Sequence, residues 1–373
     1  MISTYASYRL ISQDIDRSLS QVKKQPVVER ETKYFLENIS KVKTIEEFVG
    51  NSRLFNYAMK AHGLQDMAYA KAFMIKALKE GVSDPQSFAN KLSDKRYADF
   101  VQSFNFAAHG EDTAVYSPAQ HGTAQRYQLQ AALVGIPPDH PVLKAQTQAF
   151  LAGIAKVTSI DQFLADDELY TYAMKAWELT DKLGDKAFVR KLLEGGTADR
   201  DSFANQQTDK RYAAFAAAFD FAGLGERATT YIPAQHGTVD KYLRQTLEEN
   251  AGAQNEGVRL ALYFQRKAPT LTSVYQILAD PALAKVARTA LGLPDAVAGA
   301  DIDKQAKLLS ARIDLDKLKD PQALGKFLAR FTAIWEASGG ATTKPPLTAI
   351  LFSQPAELNI STDALIALSQ LRK

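Results

Sequence analysis

The octapeptide Tyr-x-Pro-Ala-Gln-His-Gly-Thr occurs twice, at 116–123 and 231–238. Each copy offers an imidazole, His121 or His236, beside a primary amide, Gln120 or Gln235. Two imidazoles meeting about a pseudo-twofold axis could ligate a metal ion, although zinc needs further histidine or carboxylate ligands and neither copy supplies an adjacent one. The same residues also read as a turn. Proline opens it, histidine or glutamine bonds backbone groups, glycine permits positive φ, and Thr123 or Thr238 caps the helix that follows. A second doubled element is Asp94-Lys95-Arg96-Tyr97, returning as Asp209-Lys210-Arg211-Tyr212. Its cations, near a helix N-terminus that favours negative charge, could hold an anion. Alternatively they line a solvated helix face, paired with neighbouring aspartates, while the tyrosine turns to the core.

The rest of the chain offers little chemistry. Cysteine is absent, which removes disulfides, thiolate nucleophiles and cysteine metal sites. No phosphate loop, dinucleotide-binding glycine turn, His-Glu-x-x-His helix or Gly-x-Ser-x-Gly elbow occurs. Asp166-Asp167-Glu168 lacks the alternating ligands of a calcium loop and suits a helix start. His62, His109 and His140 fit surfaces or turns. The expectation is a protein that is not an enzyme, with no catalytic residue, cofactor or metal assigned. With 45 Lys+Arg against 42 Asp+Glu, the charge is too balanced for a partner such as nucleic acid. No stretch approaches the roughly 20 apolar residues that cross a bilayer, and the N-terminus lacks the pattern of a Sec signal, so no membrane insertion is expected.

The elements that position the doubled motifs are themselves doubled. At an offset of 115, positions 33–130 and 148–245 share 46 identities in 98 without a gap. A weaker third copy starts near Phe264, with Leu278-Ala279-Asp280 matching Leu164-Ala165-Asp166, and lacks both motifs. Terminal repeats commonly depart from their neighbours because they cap an array. Each unit reads as helical. Tyr97, Phe100, Val101 and Phe104 fall on one helix face, as do Tyr212, Phe215 and Phe219, with Ser93 or Thr208 as N-cap. Thr44 and Ser159 cap short helices, Asp84-Pro85 reads as another helix start, and Gly81 and Gly196 as C-caps.

The predicted fold is therefore all-α, built of tandem helical repeat units of about 115 residues. The boundaries fall at 1–30 for an amphipathic helix stopped by Pro26, 31–145 and 146–259 for two units, and 260–340 for a degenerate third. Residues 341–373 would form a linker and a final helix carrying Leu365, Leu368 and Leu371.

Tyr57-Ala58-Met59-Lys60-Ala61, Ser87-Phe88-Ala89-Asn90, the Asp-Lys-Arg-Tyr helix and the Pro-Ala-Gln-His-Gly-Thr turn resemble an uncharacterised domain family encoded in flagellar gene clusters of alphaproteobacteria. The likeness covers units one and two well and unit three loosely. It carries over no catalytic residues. It implies flagellar proteins as partners and a structural or assembly role. A cytoplasmic adaptor or chaperone is the rival, and metal binding by the repeated histidines a third reading. Absence of cysteine and amphipathic ends also suit export through the flagellar apparatus, so the location is expected to be the cytoplasm or the exported structure.

Overall fold

The computed structural model describes residues 3–339, so the expected C-terminal helix with Leu365, Leu368 and Leu371 lies outside the described residues. Among the described residues the regular structure is helical and no strand occurs, an all-α repeat as the sequence predicts. In chain order the helices are α1 (Thr4–Ser12), α2 (Ile15–Lys23), α3 (Pro26–Ile39), α4 (Ile45–Gly50), α5 (Ser52–Ala61), α6 (Lys71–Glu80), α7 (Phe88–Lys91), α8 (Arg96–Ser103), α9 (Phe106–His109) and α10 (Thr123–Leu133). The second repeat supplies α11 (Pro141–Ile154), α12 (Ile160–Ala165), α13 (Asp167–Ala176), α14 (Lys186–Gly195), α15 (Phe203–Gln206), α16 (Lys210–Ala218), α17 (Phe221–Leu224) and α18 (Thr238–Gly252). The third contributes α19 (Glu256–Lys267), α20 (Val274–Ala279), α21 (Pro281–Ala290), α22 (Ile302–Ser310) and α23 (Pro321–Ala337).

Several local expectations are corrected. The N-terminal segment is two helices, because Asp14 leaves helical geometry and caps α2 by accepting the Arg17 N–H. Pro26 opens α3 rather than merely ending what precedes it, since proline at a first helical position forfeits no intrahelical bond. Asp84-Pro85 starts no helix; its carboxylate accepts the Gln86 N–H in a turn, and α7 begins after Ser87. Ser93 and Thr208 are not the caps of the aromatic helices. Asp94 and Asp209 bond the backbone N–H of Arg96 and Arg211, and a carboxylate there also meets the positive end of the helix. Thr44 does form a capping box with Glu47, Ser159 caps α12, and Gly81 and Gly196 end α6 and α14 at φ of 69° and 55°.

The chain divides into two compact units, residues 26–243 and residues 1–25 with 244 onward. The first repeat and most of the second thus share one unit, which ends within α18. Each has a phenylalanine core: Phe48 stacks on Phe104 at 4.5 Å, and Phe163 on Phe219 at 5.1 Å, all four fully buried. His62, in the turn that ends α5, is also buried, its ring edge-on to Phe100 at 5.3 Å.

The two repeats of this unit are interlocked. Helix α10 leaves the first repeat and packs on α13 of the second, where Tyr127 stacks on Tyr172 at 3.9 Å and the Trp177 indole N–H donates to Thr123 Oγ1 at 3.1 Å. The start of α18 returns the arrangement, with Tyr242 stacked on Tyr57 of α5, also at 3.9 Å. Beneath each pair a threonine shares a hydrogen bond with the central tyrosine, Thr32 with Tyr57 at 2.9 Å and Thr147 with Tyr172 at 3.0 Å. Burial pushes the Tyr172 phenol up to about 12, so both rings stay neutral.

In the other unit α23 packs on α19 and α21, and α1 lies on α19 and α23. Helix α23 therefore stands on α21 as α10 stands on α13. Within the same unit the buried Glu248 joins α18 to α19, accepting from Arg244 at 3.1 Å and from both Nε and Nη2 of Arg266 at 2.8 Å.

Candidate functional site

The doubled octapeptides sit at the seam where the two repeats of the 26–243 unit exchange helices. Each begins extended, at Ser117 or Ile232, and then winds into one π-helical turn, Pro118–Gly122 or Pro233–Gly237, that runs directly into α10 or α18. Proline suits the first position of the turn, where no intrahelical donor is needed. The buried Ala119 and Ala234 anchor the turns. Each turn rests on the aromatic helix of the opposite repeat, 118–122 on α16 and 233–237 on α8.

Glutamine closes the seam. Gln120 Nε2 donates to the carbonyl oxygen of Thr229 at 2.8 Å, and Gln235 Nε2 to that of Ala114 at 2.8 Å. Positions 114 and 229 are equivalent in the repeat, so the two bonds are related by pseudo-twofold symmetry. Neither bond is predictable from one repeat alone.

The histidines work within their own turns. His121 Nδ1 accepts the Ser117 N–H at 3.1 Å and His236 Nδ1 the Ile232 N–H at 3.1 Å. An accepting Nδ1 fixes the neutral tautomer protonated at Nε2. Burial, the main cause, holds both imidazoles below the ordinary histidine range, which agrees with the neutral form. Among the described residues no group of three or more His, Asp or Glu side chains is placed to hold a metal. Ser117 meets His121 through its backbone N–H, and Ile232 stands in its place in the second copy, so no serine–histidine pair is common to the two.

Two readings of the turn are corrected. Gly122 has φ of −62°, an ordinary right-handed value, so its role is spatial: a Cβ would lie 2.6 Å from the Tyr116 hydroxyl, as at Gly237 it would lie 2.7 Å from that of Tyr231. Thr123 and Thr238 do not cap; they lie within the helices, and Thr123 serves Trp177 instead. His109 covers the other side of Tyr116, ring on ring at 3.5 Å. Burial raises the Tyr116 phenol and pushes that of Tyr231 up to about 12.

The cations of the Asp-Lys-Arg-Tyr element are partly exposed, yet they bond the chain itself. Arg96 bonds Asp94 through Nε and Nη2 and donates Nη1–H to the carbonyl of Gly63. Arg211 repeats the pattern with Asp209, and its Nη1–H reaches the carbonyl of Glu178 at 2.6 Å. The Arg211 guanidinium in turn holds the Asp209 carboxyl below its usual range. Lys95 Nζ donates to the carbonyls of Asn90 and Leu92 at 2.8 and 3.0 Å, and Lys210 Nζ to that of Gln207 at 3.1 Å. Gly63 and Glu178 both have positive φ, 66° and 57°, just after α5 and α13. The arginine thus pins a left-handed helix end to the start of the aromatic helix. Tyr97 is half-buried against Phe73 at 5.1 Å, and Tyr212 buried against Phe188 at 5.0 Å.

A surface groove of about 460 Å³ opens beside this machinery, between α10, α11 and the end of α13. Its walls include Ala131, Val134, Ile136, Val142 and Leu143, with Lys175 and Glu178 on the α13 side. No doubled motif marks it. The signal that points to it is a difference between the repeats: Val134, in its wall, occupies the position of Glu249.

Comparison with known proteins places the chain. A family model described as a protein of unknown function, DUF1217, matches residues 61–185 and again 176–324. The chain belongs to the DUF1217 family. The second DUF1217 match begins 115 residues after the first, one repeat on, and the first runs from the end of α5 through the glutamine turn and α13 to the start of α14. A crystal structure of protein AGR_C_984 from Agrobacterium tumefaciens is similar over 90% of this chain and 94% of that one, with 37% identity and a TM-score of 0.52. No curated protein matches.

Proposed function

We propose that this DUF1217 protein is a non-enzymatic component of the flagellum or of its assembly, working through protein contacts. The observation that carries the non-enzymatic part is where the doubled polar residues spend their bonds. Gln120, Gln235, His121, His236, Arg96 and Arg211 each engage the chain's own backbone. Groups built to meet a substrate would aim into a cleft; these close a seam and two helix ends. The flagellar part rests on the resemblance of the repeated blocks to the family encoded in flagellar gene clusters.

The experiment is fractionation of cells carrying the untagged protein, with and without a working flagellar export apparatus. Export-dependent appearance in the supernatant or co-purification with hook–basal bodies supports the structural role. Strict cytoplasmic retention in both strains overturns it and leaves the adaptor or chaperone reading.

A further inference from the structure

We propose that, where α18 closes the first repeat, the protein holds a buried water molecule on the Thr238 hydroxyl, at the place where the second repeat packs the indole of Trp177. Three observations lead to it.

The two closures of the seam are built on one plan. Tyr242 stacks on Tyr57 as Tyr127 does on Tyr172, at 3.9 Å in both. Position 238 repeats 123 and position 62 repeats 177, so Thr238 stands to His62 as Thr123 does to Trp177. All four residues are buried, and the two rings meet equivalent phenylalanines: His62 lies 5.3 Å from Phe100 and Trp177 6.1 Å from Phe215.

The hydrogen bond of the second closure has no counterpart in the first. The Trp177 N–H donates to Thr123 Oγ1 at 3.1 Å, whereas the fully buried Thr238 Oγ1 has no hydrogen-bond partner among the described residues. The cause is size. An imidazole lacks the second ring of an indole and does not carry a donor as far along the same direction. A buried hydroxyl is seldom left without a partner, because nothing then offsets its lost hydration.

The surroundings are polar where those of the second closure are apolar. Lys241 replaces Arg126, and Ser103 replaces Ala218. Arg126 lies over the Trp177 ring at 4.0 Å, while Lys241 Nζ donates to Ser103 Oγ at 3.0 Å, on the helix that carries Phe100. A buried water needs room and several polar partners. Thr238 Oγ1 supplies the first partner, and His62 and Ser103 bring polar atoms where Trp177 and Ala218 bring a largely apolar indole and a methyl group. The room is the part of the indole that histidine does not fill. The closure of α10 on α13 is therefore dry, and that of α18 on α5 wet.

The test is made on the full chain. A high-resolution crystal structure is expected to show a water within hydrogen-bond reach of Thr238 Oγ1 and none between Thr123 and Trp177. T238V keeps the shape of the side chain and removes its hydroxyl, so it separates a hydrated group from an orphaned one. With water bound, the melting temperature should fall by about 2–4 °C, the loss of one hydrogen bond in a domain of this size. An orphaned hydroxyl predicts no fall, or a rise. In H62W the indole should take the place of the water and meet Thr238 directly, as Trp177 meets Thr123. A structure in which Thr238 Oγ1 bonds a protein atom, or has no water within reach, overturns the proposal. So does a T238V melting temperature at or above that of the unaltered chain, or a water that persists in H62W. Should H62W fail to fold, the structure and T238V decide the matter by themselves.

Discussion

Tyr116 aims its hydroxyl at Gly122, leaving no room for a side chain there, and Tyr231 does the same to Gly237. Replacing Gly122 with alanine should therefore cost about 1–3 kcal/mol through overpacking. Because φ is ordinary and the clash is with one oxygen, Y116F should recover most of that loss. The tyrosine Cζ would remain 3.4 Å from the new Cβ, a tolerable contact. Urea unfolding of the single and double variants decides it; an unrescued G122A would place the cost elsewhere.

The crossed glutamine bonds predict matched effects far apart in sequence. Q120A and Q235A each leave a seam carbonyl, Thr229 O or Ala114 O, without its donor, and each should cost about 1 kcal/mol. Near-equal losses follow from the symmetry of the two bonds. Chemical denaturation with coincident fluorescence and circular dichroism transitions measures them, and a change under a few tenths of that in both variants would show the bonds to be dispensable.

Glu178 is the non-glycine residue with positive φ among the described residues, at the place where the first repeat has Gly63. A side chain in this region costs about 1 kcal/mol or more. E178G should raise the melting temperature, because the hydrogen bond it gives up, to Gln130, is exposed and contributes little. An unchanged or lower melting point would mean that Gln130 repays the strain.

Acid should loosen the turns before it reaches the carboxylates. His121 and His236 are held below the ordinary histidine range chiefly by burial, and His109 likewise. The unfolded chain therefore takes up protons first. Stability is complete above about pH 6.5 and declines as pH falls through that value toward the lower folded-state ones. Glu31, held down by Arg53, and Asp209, held down by Arg211, act only at more acid pH, below their ordinary values of 4.5 and 3.8. H121N with H236N keeps an acceptor without the titration, and should flatten the fall in melting temperature between about pH 7 and 5. An unaltered slope would assign the effect to other groups.

Helix periodicity and caps were legible because they are local. Phe100, Phe104, Phe215 and Phe219 announce a buried face by spacing alone, and all four are fully buried. Thr44 and Glu47 announce a capping box in the same way. The failures are also physical. Asp94 and Asp209 outcompeted the neighbouring hydroxyls as caps because a carboxylate can also hold the following arginine. Gly122 was read for backbone freedom when the constraint came from a tyrosine six residues earlier. Above all, a stripe such as Tyr127 or Tyr242 tells which side of a helix is buried and not whose core receives it. The exchange of α10 and α18, and with it the role of Gln120 and Gln235, needed the structure.

That exchange has a consequence for synthesis. Tyr57 leaves the ribosome long before its stacking partner, and the gap to Tyr242 takes roughly 10–40 s at about 5–20 residues per second. For that interval the first repeat is translated but cannot close, and an unfinished face waits beside every neighbouring nascent chain with the same vacancy. A copy that borrowed the missing helix from its neighbour on the same message would be built from the same contacts.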